Sequence, residues 1–344
     1  MAGLDRLQFG IFDQNDHGPY PLAEQYEARL RLIELYDTIG FRTYHMSEHH
    51  ATPLNLACSP SVFLAAIAQR TSRLRFGALV YVLPMHHPLR LAEEICMLDH
   101  LSRGRVEVGI GRGASPHELA YFGVEPDAAQ AMYVEAYNVI MQALTQTEVN
   151  FSGKHYRFAD VPVDLKPFQR PHPPLWYAVP VPEGAAWPAQ QRINVVCGGP
   201  LSRVREITDR YRAEWTARGR AAAQLPLLGI NRFVLAADSD REAMSLGRRA
   251  WPVFYRSFMK LWKLHGTQPR NIRLPEDFDT LVANGGAIAG SSGTIRDKVA
   301  RLTEEGGTNY FISQFSFGDL REDEVQNSVR IFAKEMEVGA EMAR

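Results

Sequence analysis

Short β-rich runs and helix-length amphipathic segments alternate along this chain eight times, and that regularity constrains the fold more than any other feature. The run "LQFGIFD" (7–13) precedes "LAEQYEARLRLIELYDTIG" (22–40), where Leu30, Ile33, Leu35 and Ile39 recur near a 3.6-residue period and Gly40 supplies the stop. "FRTYHMSE" (41–48) precedes "VFLAAIAQRT", with Ser61 as its expected cap. "LRFGALVYVLP" (74–84) precedes "LRLAEEICMLDHLS" (89–102), and "RVEVGIGRG" (105–113) precedes a helix over 127–147. "PLWYAV" (174–179), "INVVCG" (193–198), "LPLLGINRFVLAA" (225–237) and "TNYFISQF" (308–315) follow as strands. Their helices are expected around 184–191, 201–219, 239–263 and 321–338, with one more at 294–305. Alternation of this kind dictates a parallel sheet. The 344 residues allow one large barrel or two ordinary domains. Eight units, and no G-x-G-x-x-G in "FDQNDHGPYP" after the first strand, choose a single (β/α)8 TIM barrel over residues 1–344. Two stretches interrupt it, 148–173 with a short hairpin and 265–293. Both are read as insertions from βα junctions at the active face, the second a lid hinged at Gly285, Gly286, Gly290 and Gly293.

In a barrel of this type the chemistry sits where strands end. The second strand ends in "SEHH", placing Glu48, His49 and His50 at that rim. Adjacent histidines allow three readings: a metal site, a catalytic base, or plain polar edge. Neighbours on a strand point to opposite faces and no third ligand is evident, so no metal is expected. A formal charge of −1 gives no basic footprint for nucleic acid or an anionic membrane surface. No apolar run approaches the roughly 20 residues that span a bilayer. The opening "MAGLDRLQFGIFD" has no signal-peptide pattern, and the three scattered cysteines, Cys58, Cys96 and Cys197, fit reduced thiols. A cytoplasmic protein is the expectation.

"GFRTYHMSEHH", the block from "LRFGALVYVLPMHHPLR" to "VEVGIGRG", and "YFGVEPD", taken in order and with their spacing, resemble the bacterial luciferase-like flavin monooxygenase family over almost the whole chain. The resemblance implies a barrel that takes reduced FMN from a separate flavin reductase and uses O2, through a flavin C4a-peroxide, to oxygenate a small organic substrate. It also implies a homodimer formed through the helices after the second and third strands. Residue by residue, it implies His49 as the catalytic histidine, managing a proton, and Glu48 either orienting it or lining the flavin pocket. It implies a non-proline cis peptide at Leu79–Val80 beneath the flavin ring, Arg112 on the phosphate, and Gly113 beside it for close backbone approach. The bland alternative for Arg112 is a surface pairing with Glu118 or Asp127.

The chain departs from the family pattern around the phosphate. A second arginine is replaced by Gln130, and the hydroxyl-bearing segment after the fifth strand reads Val179, Pro180, Val181 with Gly184 beyond. What remains for the phosphate is Arg112, the Gln130 amide and backbone N–H groups of the helix near Gly184, with Gly198 after the sixth strand expected elsewhere in the cofactor site. Ile110 stands where luciferase has a cysteine near the flavin, so light emission is not expected. Two other readings are an F420-dependent hydride-transfer enzyme and a non-catalytic flavin-binding subunit. Phe12, Tyr81, Trp176, Tyr177, Phe254 and Phe258 are the expected pocket lining, which suits an uncharged, fairly apolar substrate.

Overall fold

The computed structural model describes residues 7–269 and 273–340. Its ring of parallel strands begins with β1 (Gln8–Asp13) and β2 (Thr43–Met46), separated by α1 (Leu22–Ile39). Gly40 closes α1 at φ 103°, a left-handed conformation that glycine adopts without penalty. After α2 (Pro60–Arg70), the third ring position is split into β3 (Arg75–Ala78) and β4 (Tyr81–Val82) by a cis Leu79–Val80 peptide, as the family resemblance implies. Proline opens both α2 and α3 (Pro88–Leu101), at the helical position where a missing N–H costs nothing. β5 (Val108–Gly111) is the fourth position. It is followed by the short α4 (Pro116–Tyr121), which the sequence reading missed, and α5 (Ala129–Thr145).

The insertion at 148–173 forms the expected hairpin, β6 (Glu148–Ser152) against β7 (Arg157–Pro162), but on the other side of the unit. It leaves the end of α5 and leads into β8 (Leu175–Ala178), so it is an αβ connection and not part of the active face. Gln169 ties its return to Asp99 at the end of α3 and to the Val106 carbonyl before β5. The hairpin tip climbs outside the barrel along α5, where the Glu135 carboxylate accepts the N–H groups of Lys154, His155 and Tyr156.

The remaining positions are filled after α6 (Ala186–Gln191) by β9 (Asn194–Cys197), α7 (Leu201–Ala217), β10 (Leu228–Ala236) and α8 (Asp240–Leu264). The expected irregular lid at 265–293 is largely regular where described. It contains α9 (Phe278–Ala283), β11 (Ala287–Gly290) and the start of α10 (Ser292–Gly306). Gly290 therefore ends a strand and Gly293 lies in a helix, neither as a loop hinge. The reason lies in β10, whose nine residues pair with β12 (Tyr310–Gln314) on one edge but with β9 only over Leu228–Ile230 on the other. The rest of that second edge would be open, and β11 pairs in parallel with its Phe233–Ala236. β12 returns to β1, α11 (Glu322–Glu335) covers both, and Phe76 bridges to Val106 to close the ring. Eight positions alternate as expected, with β11 an added ninth strand.

The inward face is fixed by contacts across the ring. Tyr310 and Ile312 meet Leu79, Trp176 and Val196, from strands that are not their neighbours. The alternate residues Phe311 and Phe315 stack outward on Phe332 of α11. Gly10 is required here, because a Cβ would fall 1.7 Å from the Tyr310 hydroxyl. At the amino-terminal end Glu107 is fully buried yet bonded to Arg42 (2.9 Å), Arg75 (2.6 Å) and the Trp176 indole (2.5 Å). Two cations and an indole N–H offset its desolvation and keep its pKa low against the upward push of burial.

Candidate active site

The carboxyl-terminal rim separates the two histidines of "SEHH". His49 places Nδ1 3.1 Å from Oε1 of Glu118, a buried carboxylate on α4. That carboxylate also accepts the His50 N–H. Ser115 caps α4 by accepting the Glu118 N–H, and Pro116 follows at the first helical position, so the turn that carries Glu118 is held locally. With Nδ1 committed, Nε2 is the free nitrogen of His49, whose side chain keeps 23% of its exposure. A carboxylate fixing one imidazole nitrogen sets the tautomer and leaves the other to exchange a proton.

Glu48 serves a different pair. Its carboxylate accepts from the Val82 N–H (2.7 Å) and bonds His50 Nε2 (3.0 Å) and His86 Nε2 (2.9 Å). Burial works to raise its pKa, but these bonds outweigh it and hold the carboxyl below its usual range. His86 mirrors this: burial opposes its charge, while Glu48 holds its pKa above the ordinary value. The expectation that Glu48 orients His49 is therefore corrected. Glu48 and His49 lie on opposite sides of the strand end, and Glu118 orients the catalytic candidate. Glu48 instead ties the second strand to the chain just after the cis Leu79–Val80 link. The two adjacent histidines thus bond different carboxylates, His49 to Glu118 and His50, with His86, to Glu48.

At the other end of the mouth Arg112 is exposed, and among the described residues no carboxylate lies within ion-pair distance of it. The alternative pairing with Glu118 is excluded because Glu118 holds His49. Gly113 follows at φ 95°, packed so that a Cβ would lie 2.8 Å from Val82. Gln130 is exposed on the first turn of α5. Val179 spends its N–H on the Val196 carbonyl, and Pro180 has none. Val181 is exposed, and its carbonyl takes the Gly184 N–H in a 3-10 turn over Pro182–Ala185. The Gly184 N–H itself is thus spent within the chain. Gly198 ends the β9 turn with no atom within 4 Å of a built Cβ.

Two tyrosines that sequence reading did not assign to the phosphate pack together, and the first of them, Tyr177, feels the Arg112 charge. Tyr177 packs 6.4 Å from Tyr133 of α5, ring centre to ring centre. Burial pushes the Tyr177 pKa up and the nearby Arg112 charge pulls it back. The Tyr133 hydroxyl is buried without a hydrogen-bond partner. Gln130 and Tyr133 are three residues apart on α5, hence on one helix face. That spacing was the available signal. An unpartnered buried phenol packed on the Tyr177 that feels the unpaired Arg112 guanidinium fits a phosphate, whose oxygens accept from phenol and guanidinium alike.

Of the expected lining, Phe12 faces the lumen and Trp176 lies in its deeper layer. Tyr81 turns outward to Ser61 and Tyr177 outward to Trp187. Phe254 joins Phe233, Trp251 and Phe317 in an aromatic cluster over the mouth. α8 crosses this face: Thr52, just after "SEHH", donates to the Ser257 carbonyl. Further along, His265 stacks on His117 of α4 at 4.1 Å and bonds Tyr121. The helix bearing Glu118 is thereby clasped to the cover of the barrel.

Comparison with known proteins places these features. The sequence model of the luciferase-like monooxygenases matches residues 7–309. The uncharacterized protein y4wF of Sinorhizobium fredii is 43% identical over 315 residues, covering 92% of each chain. The 4-hydroxyprotoasukamycin monooxygenase of Streptomyces nodosus subsp. asukaensis is 29% identical, over 88% of this chain and 84% of its own. Among solved structures, monooxygenase RslO1 from Streptomyces bottropensis superposes with a TM-score of 0.86 at 25% identity, covering 98% of this chain and all of its own. The oxygenating constituent of 3,6-diketocamphane monooxygenase from Pseudomonas putida, solved with FMN, gives 0.80 at 20% identity, over 96% and 97%.

Proposed function

Since this chain belongs to the luciferase-like monooxygenase family, we propose that it is the oxygenase component of a two-component, FMN-dependent monooxygenase acting on a neutral organic substrate. The observation that carries the reading is His49, held at Nδ1 by buried Glu118 with Nε2 left free at the strand end. Reduced FMN, supplied by a separate reductase, provides the activation of O2 when bound. The chain's part is to bind, to orient and to manage a proton. Arg112, the Tyr133 and Tyr177 hydroxyls and the Gln130 amide hold the phosphate. The Leu79–Val80 link and Gly111 give the ring its floor, with Val179, Pro180 and Gly198 closing the adjoining side. His49 Nε2 holds or releases the proton, Glu118 fixes its orientation, and the aromatic cluster under α8 excludes water. A homodimer through α2 and α3 accords with the exposed Val62, Met97 and Leu101 on those helices.

The test is anaerobic titration of the purified chain with reduced FMN, with F420 in parallel, followed by mixing with oxygenated buffer. Tight binding of reduced FMN, and reoxidation slowed relative to free flavin in a manner that His49→Ala alters, would support the reading. Binding of F420 in preference would move it to hydride transfer. Failure to bind either would make the chain a non-catalytic subunit.

A further inference from the structure

The wall of the lumen built by β10, β12 and β1 carries side-chain amides that nothing in the chain satisfies. Gln314 continues the inward row Tyr310, Ile312 and is 2% exposed, with Nε2 unpartnered. Asn231 continues the inward row from Gly229, where a Cβ would lie 3.1 Å from Ile312, and its Oδ1 is unpartnered. Gln14 continues Gly10 and Phe12 past the end of β1, and its Oε1 is unpartnered too. Strand register sets Asn231 beside Ile312 and Gln314 beside Phe233. More than 90% of buried polar groups have a partner, so three orphans on one wall call for an occupant.

The chemistry of that occupant follows from what else the wall contains. Phe12, Phe233 and Ile312 make it apolar in bulk. None of these inward residues is charged, and Arg232, between Asn231 and Phe233 on β10, turns outward to donate to the Gly199 carbonyl. An anionic ligand would find no counter-charge here, whereas a carbonyl oxygen would meet the Gln314 N–H. Strand order around the ring puts β12 four positions from β5 and β10 four positions from the β3–β4 break. This wall therefore faces the side to which the proposed function assigns the flavin, and its occupant is the second reactant.

We propose that Gln314 selects a neutral carbonyl-bearing organic substrate, a ketone or aldehyde whose oxygen accepts from Gln314 Nε2, while the Asn231 and Gln14 amide oxygens, which only accept, are left for a hydroxyl or N–H elsewhere on the same molecule. The assignment to substrate and not cofactor rests on the flavin reading; the chemistry of the wall does not. The test measures binding of cyclohexanone, camphor and 2-decanone, each against the hydrocarbon of the same skeleton, by saturation-transfer NMR. The proteins are the wild type, Gln314→Leu and the closer isostere Gln314→Met. One neutral hydrogen bond corresponds to a preference of about three- to tenfold for a ketone. Support is that preference in the wild type, its loss in both variants, and an unchanged dissociation constant for reduced FMN. No ketone preference for any pair, or a preference that survives both substitutions, overturns the proposal. A parallel loss of FMN affinity also overturns it, by giving the amide to the cofactor. If no flavin binds at all, the proposed function fails while the ketone preference still reports on the wall.

Discussion

Replacing Tyr133 by Phe should make the protein more stable and a poorer flavin binder at once. The hydroxyl is 6% exposed at the level of the residue and has no partner, so the folded chain bears its desolvation without return. An unsatisfied buried polar group costs about 1–3 kcal/mol, and deleting the oxygen recovers the lower part of that, about 1 kcal/mol. With an unfolding entropy of about 2.1 cal/mol/K per residue, 344 residues give about 0.7 kcal/mol/K, so the melting temperature should rise by roughly 1–2 °C. A hydrogen bond to a charged group is worth about 1.5–3 kcal/mol, so reduced-FMN affinity should fall by about tenfold or more. Riboflavin, which lacks the phosphate, should bind both proteins alike. Arg112→Ala should weaken FMN in the same selective way without raising the melting temperature. Calorimetry and anaerobic titration with the two flavins measure all of this. A Tyr133→Phe protein that melts lower, or loses riboflavin as much as FMN, would refute the assignment, because the phenol would then be a packing element.

Glu118→Gln should slow single-turnover reoxidation of bound reduced flavin, or its substrate-dependent step, by about tenfold or more while leaving flavin affinity intact, and Glu118→Asp should recover part of it. Equal loss in both variants, or loss of binding, would speak against positioning of His49. Glu48→Gln should cost about 3–5 kcal/mol in urea unfolding, since it strands His86 beside a neutral amide. The Glu48 contribution is present above its unfolded pKa and lost as pH falls through its lowered folded value. That of His86 is present below its unfolded pKa and lost as pH rises through its raised one. The difference between wild type and Glu48→Gln should therefore be largest between the two, near pH 5–6. A difference that is flat with pH would show the pair to be uncharged. Burial lowers the pKa of His45, bonded to Tyr310 inside the barrel, to about 4. The unfolded chain takes up that proton from about pH 6.5 downward, so about 2 kcal/mol of stability should be lost between pH 7 and pH 5 and not in His45→Gln.

Strand positions were legible because each had a period, an apolar run and a helix behind it. β11 was not, because "AIAG" is four residues flanked by glycines, and what makes it a strand is the stretch of β10 edge that β9 leaves unpaired, a tertiary fact. The side of the hairpin insertion was misread for a related reason: composition marks an excursion, while its face depends on whether a helix or a strand comes before it. At the site, residue identity located His49, Arg112 and the Leu79–Val80 link, each carried by the family resemblance. It could not say which carboxylate meets which histidine. Glu48 is adjacent in sequence to His49, yet alternation sends it to the far face, and the partner of His49 arrives from α4, 69 residues on. Tyr133 was visible only as part of a helical face shared with Gln130.

The buried polar groups divide along the barrel axis in a way that bears on function. At the amino-terminal end Glu107 meets Arg42, Arg75 and Trp176, and past the end of β1 Asp13 and Asp16 share Arg29, although burial still pushes Asp16 up to about 7. His45 Nδ1, Thr308 Oγ1, Asn15 Oδ1, Arg29 Nη1, His155 Nε2, Arg232 Nε and Ser313 Oγ are unpartnered as well. At the carboxyl-terminal end Tyr133, Asn231, Gln14 and Gln314 are left unmatched, in two groups. One is the Tyr133 phenol, packed on the Tyr177 that feels the Arg112 charge, where a phosphate would accept; the other lines the wall across the lumen, where a carbonyl would accept from Gln314 and a hydroxyl or N–H would donate to Asn231 and Gln14. A chain selected for stability alone would have filled these positions with Phe, Leu or Met at a gain of about 1 kcal/mol or more apiece. Their separation across the lumen is what a site for two ligands requires, a charged one anchored at the rim and a neutral one facing it.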